Sequence, residues 1–114
     1  HLFIFPSFHD SGAMVVLEAM ARKLPVLALA TGGPAVHIRD GRGMAVKANQ
    51  SIEKIIDEFA DDIKLYKKLY CSDKEKIKKI LDNAEEYLYA DCVWSNKAET
   101  MQEFYRKVVE KKFL

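Results

Sequence analysis

Two carboxylates and two glycine-bearing segments are the residues of this sequence best suited to chemistry. Asp10 and Glu18 stand with seven residues between them. Ionised carboxylates only accept hydrogen bonds, which suits a ligand rich in hydroxyls, such as a sugar or a ribose. The same pair also has a plain structural account, with Asp10 capping the helix that follows and Glu18 on its solvated face. Around Asp10 runs Ser7-Phe8-His9-Asp10-Ser11-Gly12-Ala13. Gly12 and Ala13 are small enough for an anion to approach the backbone, where a helix N-terminus offers unpaired N–H groups and a positive dipole end. Gly12 equally serves to ease a turn. The second segment, Thr31-Gly32-Gly33-Pro34, is a glycine pair and lacks the GxGxxG spacing of a dinucleotide loop. His9 and His37 are the internal histidines. A histidine beside a carboxylate invites an acid–base reading, against the commoner role of a loop hydrogen-bonder. The sequence shows no nucleophilic triad, no Walker loop and no metal-ligand spacing.

The elements that must position these residues read as strand–helix–strand and then helices. Leu2 to Phe5 is a continuous apolar run, as in a strand covered on both faces, and Pro6 stops it. Residues 11–22 read as a helix, with Ser11 and Gly12 at its entry, Arg22 and Lys23 at its negative end and Pro25 just beyond. Val26 to Ala30 reads as a second buried strand, Thr31 to Pro34 as a loop, and Ala35 to Ile38 as a short helix. A turn at Asp40 to Gly43 leads to a short third strand from Met44 to Val46. Such a unit is almost always right-handed, and its ligands bind beyond the carboxyl ends of the strands. Those ends carry the two glycine segments.

The remainder is helical. Ser51 reads as an N-cap for a helix with the stripe Ile52, Ile55, Ile56, Phe59, Ile63, Tyr66 and Tyr70. Ser72-x-x-Glu75 reads as a capping box that opens a second helix, with Ile77, Ile80, Leu81, Ala84 and Leu88 on one face. A last helix follows Trp94-Ser95 and aligns Ala98, Met101, Tyr105 and Val108. Trp94 and Phe104 are expected as core or interface contacts, and the lysine-rich faces as solvated. The expected fold class is thus α/β, a partial Rossmann-like parallel sheet of two to three strands followed by a helical C-terminal segment. Residues 1–48 form its βαβ core and residues 51–114 its helices. That is few strands for a doubly wound sheet, and the first strand would expose an apolar edge at which two copies can pair.

Composition removes other classes. The 114 residues suffice for one domain at most, with 49% hydrophobic and 31% charged residues. Eighteen Lys and Arg against 17 Asp and Glu leave a net charge of +1, which gives no basic surface for nucleic acid. The longest apolar stretch, Leu24 to Ala30, is too short for a bilayer, and no secretory leader is expected. Cys71 and Cys92 read as two reduced thiols of a cytoplasmic protein, with a disulfide between them as the alternative.

The string Phe3-Ile4-Phe5-Pro6-Ser7, Asp10-x7-Glu18-Ala19-Met20-Ala21, Leu24-Pro25-Val26 and Gly32-Gly33-Pro34 resembles the retaining GT-B glycosyltransferases of family GT4, glycosyl transferase group 1. The order and spacing of these elements match that family over nearly the whole chain. Trp94-Ser95 ahead of Ala98 is similar to the opening of the family's last helix.

The resemblance implies the C-terminal, donor-binding part of the enzyme. Asp10 then stands where the family's first acid contacts hydroxyls of the donor sugar, and is the implied catalytic residue. Glu18 stands where the second acid binds the ribose. The amides of Gly12, Ala13 and Met14 would face the diphosphate or the sugar, and Gly32 and Gly33 would shape the cleft wall. The implied partners are a UDP-, GDP- or ADP-sugar and an acceptor that the residues do not identify, with neither cofactor nor metal. Three positions depart from the pattern. Asp10 is one methylene shorter than the usual Glu, Ala13 replaces a second glycine, and Val36 falls where a Glu commonly follows the glycine loop. The family's donor domain also has three earlier strands with a basic pair, preceded by an acceptor domain, and this chain carries neither. An intact enzyme of this kind is expected in the cytoplasm, with a peripheral membrane location left open. The rival reading is a non-catalytic α/β interaction module. A receiver-like domain would need an acidic pocket before the first strand, which is lacking.

Overall fold

The computed structural model describes residues 1–113; Leu114, the end of the expected helical segment, lies outside the described residues. The fold is α/β and Rossmann-like. Strands β1 (Phe3–Phe5), β2 (Val26–Ala30) and β3 (Met44–Lys47) form one parallel sheet in the order β1-β2-β3. Helix α1 (Met14–Ala21) crosses from β1 to β2, and α2 (Gly32–Ile38) leads towards β3. Then follow α3 (Ile52–Ser72), α4 (Lys74–Tyr87), a π-helical turn (Leu88–Cys92) and α5 (Trp94–Phe113).

The central strand β2 is buried on both faces, which explains its unbroken apolar sequence. Side chains alternate along a strand. Val26 and Ala28 therefore join Val16, Ala19 and Met20 of α1 and Ala84 of α4, while Leu27 and Leu29 meet Val46 of β3 and Ile55 and Phe59 of α3. Leu27, Leu29, Val26, Val16 and Val46 are fully buried, each worth about 1.5–3 kcal/mol of transfer free energy. Phe3 pairs with Val26 and Phe5 with Ala28, so β1 stops opposite Ala28 and β2 runs on to Ala30.

Several boundaries differ from the sequence reading. Helix α1 starts at Met14 and not at Ser11, because Ala13 takes a left-handed φ of 46° that breaks the helical run. Its far end is a Schellman turn: Lys23 N–H bonds Met20 O at 2.9 Å and Leu24 N–H bonds Ala19 O at 3.0 Å, with Lys23 left-handed at φ 55°. Helix α2 begins inside the glycine pair, where a loop was expected, and Pro34 is accommodated in its first turn because that turn needs no N–H donor. The capping box at Ser72 does not form. Helix α3 runs through Ser72, whose hydroxyl bonds back to Lys68 O at 2.7 Å, and Asp73 occupies the position before α4. Ser51 does cap α3, accepting from Lys54 N–H. Ile55, Phe59 and Tyr66 face the core as expected, whereas Ile52 and Ile56 point to solvent. Trp94, 86% exposed, and Phe104, 57% exposed, are not core residues: α5 projects from the body and its side chains from Lys97 to Lys111 are all exposed.

Candidate functional site

The carboxyl ends of β1 and β2 open onto two segments in direct contact. Residues 6–13 leave β1, and Thr31 with the start of α2 leaves β2. Gly33 N–H donates to the Asp10 carbonyl at 2.8 Å. A Cβ on Gly32 would stand 2.5 Å from that same carbonyl oxygen, and one on Gly33 would stand 2.6 Å from Ser11 O. Gly32 also has a φ of +52°. The glycine pair is therefore needed for the two backbones to meet.

One peptide unit of this loop is held from both sides. The Asp10 carboxylate accepts from Ala13 N–H through Oδ1. On the other side of the same peptide, the Gly12 carbonyl lies 2.9 Å from His37 Nε2. A carbonyl only accepts, so Nε2 carries the proton. His37 Nδ1 is 2.9 Å from the Tyr87 hydroxyl and, in the neutral ring, accepts from it. Tyr87 keeps its proton to donate: its pKa is pushed up to about 12, first by burial and then by Cys92, against the pull of Arg42. The Arg42 guanidinium covers the Tyr87 ring at 3.9 Å and is itself fixed by the carbonyls of Arg39 and Val36 and by the Asp40 carboxylate. Arg42 is the buried charged residue of the structure among those described.

Glu18 sits elsewhere. It is exposed on α1, one turn beyond Met14 on the same helix flank, and lines an open groove with Phe3, Val15, Arg22 and Leu24. Its flank faces the open edge of β1, where a carboxylate keeps its water. Val36 is also exposed, on α2.

The structure thus brings Asp10, Gly12, Ala13, Gly32 and Gly33 together and sets Met14 and Glu18 along the adjoining helix. Spacing alone missed His37, Tyr87 and Arg42 as parts of this assembly. His37 had a faint local signal, since it follows Gly32 on one short helix. Tyr87 had none, lying 50 residues further on. Among the described residues, no group of three or more His, Cys, Asp or Glu side chains is placed to hold a metal ion.

A parallel sheet with glycine-bearing turns at its carboxyl ends defines a Rossmann-like α/β domain. Within that class the chain belongs to the family of glycosyl transferases group 1, whose model matches residues 1–76. Over 64 residues it is 36% identical to the D-inositol 3-phosphate glycosyltransferase of Streptomyces avermitilis, covering 54% of this chain and 14% of that protein. Over 63 residues it is 36% identical to the protein of that name from Streptomyces scabiei, covering 53% of this chain and 14% of the relative. The matched stretch is thus a small part of the length of these curated relatives. No solved structure matches the chain.

Proposed function

We propose that this chain is the donor-binding part of a retaining GT-B glycosyltransferase of the GT4 type, which transfers a hexose from a nucleotide sugar to an acceptor hydroxyl. The observation that carries the reading is the contact of the two glycine segments at the carboxyl ends of β1 and β2, at the entry of α1, in a chain of this family. The first N–H groups of α1 lack partners within the helix, and the dipole there favours a diphosphate. Of the backbone at Gly12, Ala13 and Met14, the amides of Gly12 and Met14 would face that diphosphate, the Ala13 N–H being taken by Asp10, and the Gly32–Gly33 start of α2 would wall the cleft. Asp10, with one carboxylate oxygen engaged by Ala13, would use the other on a sugar hydroxyl. Glu18, exposed beside the site, would accept from ribose hydroxyls.

Departure of the nucleoside diphosphate is assisted in this reading by preorganised dipoles and by positive charge from further strands, with no metal required. Those strands and an acceptor domain complete the enzyme, so the 114-residue chain alone is not expected to be active. The unpaired Cys71 and Cys92 fit a reducing compartment, and we place the enzyme in the cytoplasm. No helix among the described residues is long and apolar enough to cross a membrane.

One observation favours a second reading, a non-catalytic interaction module. Helix α5 exposes Trp94, Met101, Phe104 and Tyr105, as a docking element would. Calorimetric titration of the full-length protein with UDP-, GDP- and ADP-sugars separates the two. Saturable binding supports the donor site and names the nucleotide; a folded protein that binds none of them supports the module.

A further inference from the structure

We propose that His37 is a positioning residue for donor binding, holding the Gly12–Ala13 peptide through Nε2 and held in turn by Tyr87. The proposal rests on the donor-site reading and adds to it a residue from α2 and one from α4.

A trans peptide is planar, so its C=O and N–H point in opposite directions. Fixing both ends fixes the tilt of the plane. Asp10 Oδ1 takes the N–H and His37 Nε2–H takes the C=O at 2.9 Å. The Ala13 N–H is itself taken by Asp10, so the plane acts through the residue after it: with Ala13 held at its left-handed φ, it sets the direction of Met14 N–H, the first amide of α1. A carboxylate alone leaves the plane free to rock about the N–H bond. The imidazole removes that freedom, but only in the tautomer that protonates Nε2. The Tyr87 hydroxyl, 2.9 Å from Nδ1, selects that tautomer by donating to the bare nitrogen. Burial keeps the Tyr87 proton in place, and the Arg42 guanidinium over the ring fixes the ring itself. Tyr87 lies beyond the residues that the family model matches, so the lock is supplied by a segment outside the shared 1–76 region.

Two amide substitutions separate the two ring nitrogens. A glutamine places its NH2 near the position of Nε2 and can still donate to Gly12 O. An asparagine reaches only the position of Nδ1 and can still accept from Tyr87. The full-length wild type, His37→Gln and His37→Asn are titrated with UDP-glucose, GDP-mannose and ADP-glucose, and their melting temperatures are measured. The expected result is His37→Gln within about threefold of the wild-type Kd and His37→Asn weaker by about tenfold or more, with similar melting temperatures, since only the asparagine leaves the Gly12 carbonyl without its donor. In addition, long-range nitrogen–proton correlation in mildly alkaline buffer is expected to show His37 as the Nε2–H tautomer. Equal Kd values for His37→Asn and the wild type overturn the proposal and leave the donor site standing. Equal weakening by both substitutions, or an Nδ1–H tautomer, also overturns it, because Nε2 is then not the working atom. Absence of binding by the wild type overturns the donor-site reading itself, and the positioning role with it.

Discussion

The Asp10 carboxylate and the His37 imidazole hold opposite sides of one peptide unit, Asp10 on the Ala13 N–H and His37 on the Gly12 carbonyl. That unit joins the end of the β1 loop to α1 and sets Ala13 at its left-handed φ of 46°. A non-glycine residue in that region is strained by about 1–2 kcal/mol, and two hydrogen bonds of ordinary strength offset it. Ala13 is also 1% exposed, so its methyl contributes to the core between α1 and the sheet. Both sides of the peptide are thus tied to neighbouring groups, the kind of preorganisation that the proposed diphosphate site would need.

Glu18→Ala tests the second acid of the pair. The side chain is exposed and has no role in the core, so the melting temperature should be unchanged, with a stability effect within about 0.5 kcal/mol. Nucleotide-sugar affinity of the full-length protein should fall by about tenfold or more, the loss of at least one charge-assisted hydrogen bond to ribose. Calorimetry on both proteins reads the difference. Unchanged affinity removes Glu18 from the site.

The glycines of the two segments should differ sharply in their tolerance of alanine. At Gly33 the added Cβ meets Ser11 O at 2.6 Å and Ser11 C at 2.9 Å, both backbone atoms that cannot step aside alone. Gly33→Ala should cost about 1–3 kcal/mol, the usual scale of overpacking. At Gly12 the nearest atom is Met14 Cγ at 4.0 Å, an ordinary contact, and Gly12→Ala should melt within about 0.5 kcal/mol of the wild type. Chemical denaturation of the two variants makes the comparison. Equal stability of both would mean that the loop and α2 are not in contact in solution.

Much of this was legible in the sequence. The three strands, α1 and the turn at Asp40 to Gly43 follow from signals that are local: unbroken apolar runs, glycine, proline; the Gly32–Gly33 pair, expected in a loop, opens α2 instead. The errors have physical causes. Ser72 lost the capping position because its hydroxyl found the Lys68 carbonyl one turn back and α3 continued through it. The stripe of α5 promised packing, yet an amphipathic pattern states only that a helix wants a partner, and none of the described residues covers Phe104 or Tyr105. The Tyr87–His37 bond joins residues 50 apart, brought together by the packing of both α4 and α2 against α1. Local periodicity carries no trace of such a pair.

Lys23→Gly should stabilise the protein. Lys23 occupies the left-handed position after α1, at φ 55°, which glycine adopts without a Cβ clash. The ion pair to Glu85 at 3.2 Å joins two exposed side chains and contributes about 0–1 kcal/mol. The greater freedom of glycine in the unfolded chain offsets part of the gain. A net increase of about 0.5 kcal/mol is expected by denaturant titration, and a decrease would show that the Lys23–Glu85 pair outweighs the backbone.

The raised pKa of Tyr87 predicts an alkaline limb in stability. Its folded value, about 12, lies above the ordinary value of 10.0, so the folded state binds the phenolic proton more tightly than the unfolded state. The stability it contributes is therefore complete below pH 10 and is lost as the pH rises towards about 12. Tyr87→Phe removes the titrating group and the hydrogen bond to His37 together. The variant should start about 0.5–1.5 kcal/mol lower at neutral pH and fall less steeply above pH 10. Tyr66, also raised by burial, titrates in both proteins and cancels in the comparison. Parallel curves would mean that Tyr87 is solvated in the folded protein.

The edge of β1 should mediate self-association of this 114-residue chain. Strand β1 pairs with β2 on one side, and among the described residues no strand pairs with its other side. Ile4 on it is 42% exposed, and the edge is flanked on one face by the groove in which Phe3, Val15 and Leu24 lie beside Glu18 and Arg22, and on the other by Leu2, Ile63 and Tyr66. An unpaired apolar edge of this kind is a template for another strand. Light scattering after gel filtration should give a mass above 13.0 kDa that rises with concentration. Ile4→Lys places a charge on the edge, the device natural sheets use to stay unpaired, and should restore the monomer while leaving the β1–β2 ladder intact. A wild-type chain that stays monomeric at high concentration would show that β1 is too short, at three residues, to hold a partner. In a protein whose further strands pair with β1, Ile4→Lys should instead destabilise the sheet, so the sign of its effect distinguishes a free edge from an occupied one.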